Sequence, residues 1–237
     1  VTIIGLGLIG SSIARAARRM NAAGEIIAAD ASPAVRARVA EIGIADRVEA
    51  ELSEAVKESD FVVLCVPVGA NGAVAEAMGP HLKPGAIVSD VGSVKSAVVA
   101  AVAPHMPAGV GFVPAHPVAG TEHSGPDAGF AALFHGRWCI LTPPEGADPD
   151  HVARVQTFWR AIGSNVEVMT PAHHDLVLAI TSHVPHLIAY NIVGTAADLE
   201  EVTQSEVIKF SAGGFRDFTR IAASDPTMWR DIFLHNK

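Results

Sequence analysis

The chain has 237 residues, 49% of them hydrophobic, with 25 acidic against 17 basic side chains and a formal net charge of −8. That apolar share can build a sizeable core in one large or two modest domains, and it excludes disorder. The acidic balance speaks against a nucleic-acid partner, which would want a basic face for phosphates. No run approaches the roughly 18 to 20 apolar residues of a membrane span.

In chain order, VTII (1–4) reads as a buried strand, so no signal peptide is expected ahead of it. GLGLIG (5–10) follows that strand and opens a helix running from about Gly10 to Met20. This is the setting a dinucleotide fingerprint needs. Gly5 makes the tight turn, Gly7 admits a pyrophosphate, Gly10 lets helix and strand close up, and the N–H groups of the first turn, with Leu8 and Ile9, face the anion. EIIAAD (25–30) ends on Asp30, where a carboxylate accepts hydrogen bonds from the adenosine ribose. It would repel a 2′-phosphate, so NAD is expected over NADP, a preference that Arg36 and Arg38 nearby temper.

A helix over PAVRARVAEIG, a strand at DFVVLCVP (60–67) and a helix near 70–79 come next. Val66 and Pro67, at that strand's carboxyl end, are expected to wall the nicotinamide side. AIVSDV (86–91), KSAVVAAVA, GFVPA (111–115), RWCILTP (137–143), HVARVQTFWRAIG and NVEVM (165–169) continue the alternation. Strands separated by helices imply an α/β, Rossmann-type doubly wound, mostly parallel sheet covered on both faces. Beyond Pro171 strand signals vanish. The expected organisation is therefore a dinucleotide-binding domain over 1–169 and an all-helical piece over 170–237. The second piece is too small to bury much core alone and is expected to pack on a partner subunit. The ends read as trimmed, because Val1 already sits in a strand and DIFLHNK stops within a helix. Cys65 and Cys139 lie in apolar strand-like runs and are expected as free thiols in a reducing cytoplasm.

Two strand ends, DVGSVK (90–95) and HPVAGTEHSG (116–125), should project toward the cofactor crevice. His116 is the candidate general base, since imidazole takes a proton near neutral pH. Ser93 is expected to orient its ring from the cofactor side. TSHVPH (181–186) puts His183 and His186 one turn apart on a helix beside the kink of Pro185. With no third ligand nearby, a metal site is not expected. His173 and His174, ahead of Asp175, read as a structural helix start. Of Arg216, Arg220 and Arg230, Arg220 is the better anion ligand, because a guanidinium fork matches a carboxylate.

GLGLIG, DVGSVK, HPVAGTEHSG, SHVPH and GGFRDFTRIAASDPTMWRDIF, in this order, resemble the prephenate/arogenate dehydrogenase family over essentially the whole chain. The resemblance implies an NAD-dependent oxidative decarboxylation of a cyclohexadienyl substrate, prephenate or arogenate, in tyrosine biosynthesis. It places His116 as the base, Ser93 as its partner, and His186 and Arg220 on substrate. Thr121, Glu122, Gly213, Asp217 and Trp229 match further active-site or gating positions. It also implies a homodimer, with tyrosine as a possible feedback inhibitor, and lacks the family's terminal dimer helices after Lys237. A β-hydroxyacid-type dehydrogenase is the enzyme alternative, although such enzymes use a lysine of the helical domain and, apart from the terminal Lys237, only Lys209 lies within it. A non-catalytic NAD-binding redox sensor is the other, and it would need neither His116, His186 nor Arg220.

Overall fold

The computed structural model describes residues 1–200 and 209–237; the part of the expected helical piece at 201–208 lies outside the described residues. The chain divides into two compact units, Val1–Asp175 and Leu176–Lys237.

In the first unit six parallel strands form one sheet, in the order β3-β2-β1-β4-β5-β6. They are β1 (Thr2–Ile4), β2 (Ile27–Ala29), β3 (Arg47–Glu49), β4 (Phe61–Leu64), β5 (Ile87–Asp90) and β6 (Gly111–Phe112). The order reverses beside β1, which puts a crevice at the carboxyl ends of β1 and β4, where such sheets bind ligands. Side chains alternate between two cores, as the period of a strand requires. Ile3, Ala28, Val63 and Ile87 pack with Ile13 and Ala17 of α1 (Leu8–Arg19). Ile4, Ala29, Leu64 and Val88 pack on the other face with Ala75 of α4 (Asn71–Met78) and Val98 of α5 (Ser96–Val102). Between these lie α2 (Pro33–Ile42), capped by Ser32 and closed by Gly43 at φ 66°, and the short α3 (Leu52–Val56).

One expectation needs correcting. GFVPA is not a single strand. After β6 the chain leaves the parallel sheet and re-forms as β7 (Ala115–Pro117) in a second sheet with β8 (Trp138–Leu141) and β9 (Asn165–Val168). β7 pairs antiparallel with β8, and β8 parallel with β9. The switch falls at Pro114, which has no N–H to continue a ladder, while the Ala115 N–H turns to the Asp90 carboxylate at 3.3 Å. His116 therefore sits inside a strand, opposite Ile140, and not past the end of one. Helix α6 (Pro149–Ala161) covers this second sheet with Phe158 and Trp159.

Helix α7 (Pro171–Leu178) begins in the first unit. A π-helical turn at Ala179–His183 and then α8 (Val184–Glu200) follow, the turn lying just ahead of Pro185. In the second unit, α9 (Gly213–Thr219) and α10 (Pro226–His235) complete the described helices. Pro171–Leu199 is a 29-residue helical run containing an 18-residue window of mean hydropathy 1.5, enough by length and average composition alone to cross a membrane. The histidines and Asp175 interrupt it, so it holds no apolar run of the length a membrane span needs. Its first turns are not a lipid-facing surface, because His174 and Asp175 are buried and hydrogen-bonded within the first unit.

Candidate active site

The nucleotide end is built from backbone. Gly5 turns at φ +93°, and a Cβ there would lie 2.6 Å from the Cys65 carbonyl oxygen. A Cβ on Gly10 would lie 2.0 Å from the Gly5 carbonyl oxygen, so only glycine allows α1 to start against β1. Gly7 differs: a Cβ there would meet nothing within 4 Å. It caps α1 in an extended conformation without any side-chain hydrogen bond, so the first-turn N–H groups, Leu8 and Ile9 among them, receive no side-chain cap. An anion such as a pyrophosphate fits that opening. Val66 abuts the glycine turn, its Cγ1 lying 3.2 Å from where a Gly5 Cβ would be, and Pro67 is exposed beside it.

Asp30 is half-buried, and its carboxylate accepts the Leu6 N–H at 2.8 Å and the Ser32 N–H at 2.9 Å. It thus ties the glycine turn to the end of β2 while each oxygen keeps a second lone pair for a hydroxyl. The two nearby arginines are committed elsewhere. Arg36 donates to the Asp30 and Ala31 carbonyls, and Arg38 grips Asp127 with contacts of 2.7 to 3.0 Å and Glu41 at 2.6 Å.

Around His116 the first unit gathers groups that sequence reading left apart. The ring is 7% exposed, and its Nδ1 lies 2.8 Å from Nε2 of His174, which has no exposed surface. His174 Nδ1 lies 2.9 Å from Asp175 Oδ1. Asp175 in turn accepts the N–H of Lys95 at 2.7 Å and of Ser96 at 2.9 Å. The Lys95 ammonium is fully buried and donates to Asp90 at 2.5 Å and to the Ala115 carbonyl at 2.7 Å, which anchors the strand residue just before His116. Burial pulls this ammonium below its usual range, and Asp90 opposes that pull.

Ser93 is half-buried, and the group that meets His116 Nδ1 is His174. His174 and Asp175, read from sequence as a plain helix start, were missed. Their only sequence signal was an imidazole next to a carboxylate at a helix start, 58 residues from His116. Thr121 and Glu122 lie exposed on the loop after β7, where the Thr121 hydroxyl accepts the His123 N–H at 3.2 Å.

In the second unit His186 stacks on Trp229, with ring centroids 3.7 Å apart and planes 18° from parallel. Its Nδ1 donates to the Ser182 carbonyl at 2.8 Å, and burial lowers its pKa from the ordinary 6.5. Trp229 is buried, and His183 meets it edge-on at 6.1 Å. Gly213, Asp217 and Arg220 are exposed, and Arg220 makes no ion pair among the described residues. Lys209, the lysine the alternative dehydrogenase reading would need, is exposed beside the Phe210 ring. No group of three or more metal-ligating side chains occurs among the described residues.

Oxidising an alcohol takes an acceptor for hydride and a group for the hydroxyl proton. A cradle for a dinucleotide and a buried histidine, both on one doubly wound sheet unit, mark the class as nicotinamide-dependent dehydrogenases. Comparison with known proteins narrows the class. The profile for the prephenate dehydrogenase nucleotide-binding domain matches residues 13–168, and that for the prephenate dehydrogenase dimerization domain matches 170–237. A cyclohexadienyl dehydrogenase of Zymomonas mobilis is 45% identical over the whole chain, which spans 80% of that relative. A prephenate dehydrogenase of Bacillus subtilis is 35% identical, and the chain spans 64% of its length. The crystal structure of the Aquifex aeolicus prephenate dehydrogenase in complex with hydroxyphenyl propionate and NAD+ superposes with a TM-score of 0.91 at 36% identity, covering 99% of this chain and 82% of that one. The chain belongs to the prephenate dehydrogenase family.

Proposed function

We propose that this protein oxidises and decarboxylates prephenate, arogenate or both with NAD+, yielding 4-hydroxyphenylpyruvate or tyrosine in tyrosine biosynthesis. The observation that carries the reading is the buried His116, backed by His174, in the same unit as a glycine turn whose Gly7 faces open space. When bound, NAD+ supplies the acceptor for hydride from the ring carbinol. Gly5, Gly7, Leu8, Ile9 and Gly10 hold its pyrophosphate, Asp30 its ribose, and Val66, Pro67 and Ser93 the nicotinamide side. NAD is preferred over NADP because Asp30 repels a 2′-phosphate while Arg36 and Arg38 are occupied.

His116 takes the carbinol hydroxyl proton as hydride leaves the same carbon. The resulting ketone accepts the electron pair of the ring-to-carboxylate bond, carbon dioxide departs, and the aromatic phenolate recovers a proton. Such base assistance is worth roughly 10²- to 10⁴-fold. Arg220 takes a substrate carboxylate through its guanidinium fork, and His186, set by its stack on Trp229, takes another polar group. Thr121, Glu122, Gly213 and Asp217 complete substrate recognition. The helical unit pairs two copies of the chain, tyrosine is a competitive ligand by its likeness to arogenate, and the enzyme works in the reducing cytoplasm, in keeping with its free Cys65 and Cys139.

The test is turnover. With NAD+ and either prephenate or arogenate, reduced nicotinamide and carbon dioxide should form in equal amounts, and the ratio of the two kcat/KM values names the preferred substrate. Failure of both substrates while NAD+ still binds would favour the redox-sensor reading.

A further inference from the structure

Asp175 is buried, yet both of its oxygens are met by donors: the Lys95 N–H and His174 on Oδ1, and the Ser96 N–H on Oδ2. Burial pushes the carboxyl up, but the hydrogen bonds from His174, Ser96 and the Lys95 backbone outweigh it and hold it well below the usual carboxylate range. An ionised carboxylate only accepts, so His174 donates from Nδ1. A neutral His174 then has no proton on Nε2 and must accept there, which makes His116 the donor through its own Nδ1.

We propose that Asp175 and His174 are positioning residues that fix His116 as its Nδ1–H tautomer, so that Nε2 is the atom that takes the substrate hydroxyl proton. For the identity of the proton donor this rests on the function proposed above. The step balances: the O–H bond breaks, its proton moves to Nε2, the C–H pair leaves as hydride to NAD+, and the phenolate left by loss of carbon dioxide takes the proton back from Nε2. While His116 holds that proton, the negative charge of Asp175 reaches it through the His174 ring. The other ionisable groups about His116 do not replace this charge. Lys95 and Asp90 are paired behind Ala115, and burial pushes up the Cys139 thiol, which meets the His116 backbone and not its ring, so that it stays protonated.

Nitrogen NMR of the full-length protein with isotope-labelled histidine reads the tautomer directly. His116 should show a protonated Nδ1 and a bare Nε2, and His174→Leu should abolish that preference. In turnover, Asp175→Asn and His174→Leu should each lower kcat at least about tenfold, a part of the roughly 10²- to 10⁴-fold that general-base assistance is worth, while leaving NAD+ affinity unchanged. His174→Gln sets an amide oxygen near the place of Nε2 and should recover most of the loss seen with leucine. In Asp175→Asn the acid limb of the kcat/KM profile should move to lower pH, because the carboxylate that favours the imidazolium is gone. A purely structural role would lower stability without moving that limb.

A proton on Nε2 in the wild type would overturn the proposal, as would wild-type kcat and an unmoved limb in Asp175→Asn. If Asp175→Asn does not fold, the His174 pair decides, and glutamine no better than leucine overturns it. Absence of turnover with either substrate would sink the proposed function alone, since the tautomer is read without substrate.

Discussion

Lys95 has no exposed surface, and its ammonium is held by one carboxylate and one carbonyl, a costly arrangement unless every donor is matched. Its partner Asp90 also accepts the N–H of Gly92 at 2.7 Å, so the pair fastens the loop after β5 to the residue before His116. Removing one member strands the other charge. Lys95→Met should therefore cost about 3 to 5 kcal/mol in urea unfolding, and adding Asp90→Asn should restore most of it. Equal loss in the single and double variants would mean that packing and not charge holds the site. At this scale the sequence was partly legible. His116 stood out as an imidazole following an apolar run, but its partner did not, because the contact between His116 and His174 joins residues 58 apart and leaves no local pattern. Lys95 was visible inside DVGSVK, yet nothing local shows that a lysine there is fully buried.

The first turn of α1 separates two kinds of glycine. Gly10 is demanded by the fold, since a Cβ would sit 2.0 Å from a carbonyl oxygen, whereas Gly7, at φ −73° and facing open space, is not, which fits the proposed pyrophosphate contact. Gly7→Ala should leave the thermal midpoint nearly unchanged and raise the NAD+ Kd about tenfold or more; Gly10→Ala should lower the midpoint sharply. If Gly7→Ala binds NAD+ as the wild type does, the pyrophosphate does not lie at this turn. Elements were the most legible scale, because strand and helix announce themselves by period and by glycine. GFVPA misled because a strand that changes sheet keeps one continuous apolar run, and only Pro114 marks the break.

For the whole molecule, the alternation of strands and helices followed by helices alone made the two-part organisation readable. What it could not convey is how exposed the second unit is: Leu187, Ile188 and Leu199 of α8 are each about half exposed, at 45%, 46% and 46%. An apolar face of that kind calls for cover, and the proposed pairing of two copies, in keeping with the match to a dimerization domain, would supply it. Sedimentation of the full-length protein should show a dimer that Leu187→Asp together with Ile188→Asp weakens; a monomeric wild type would contradict the pairing. The central claim is that His116 is the base of an NAD+-dependent dehydrogenase. It is tested most directly by kcat and NAD+ Kd measured side by side for the wild type and His116→Asn, with prephenate and arogenate. Turnover should fall at least about a hundredfold while the Kd stays nearly constant. A His116→Asn enzyme that turns over like the wild type, or one that loses NAD+ binding in proportion, would contradict it.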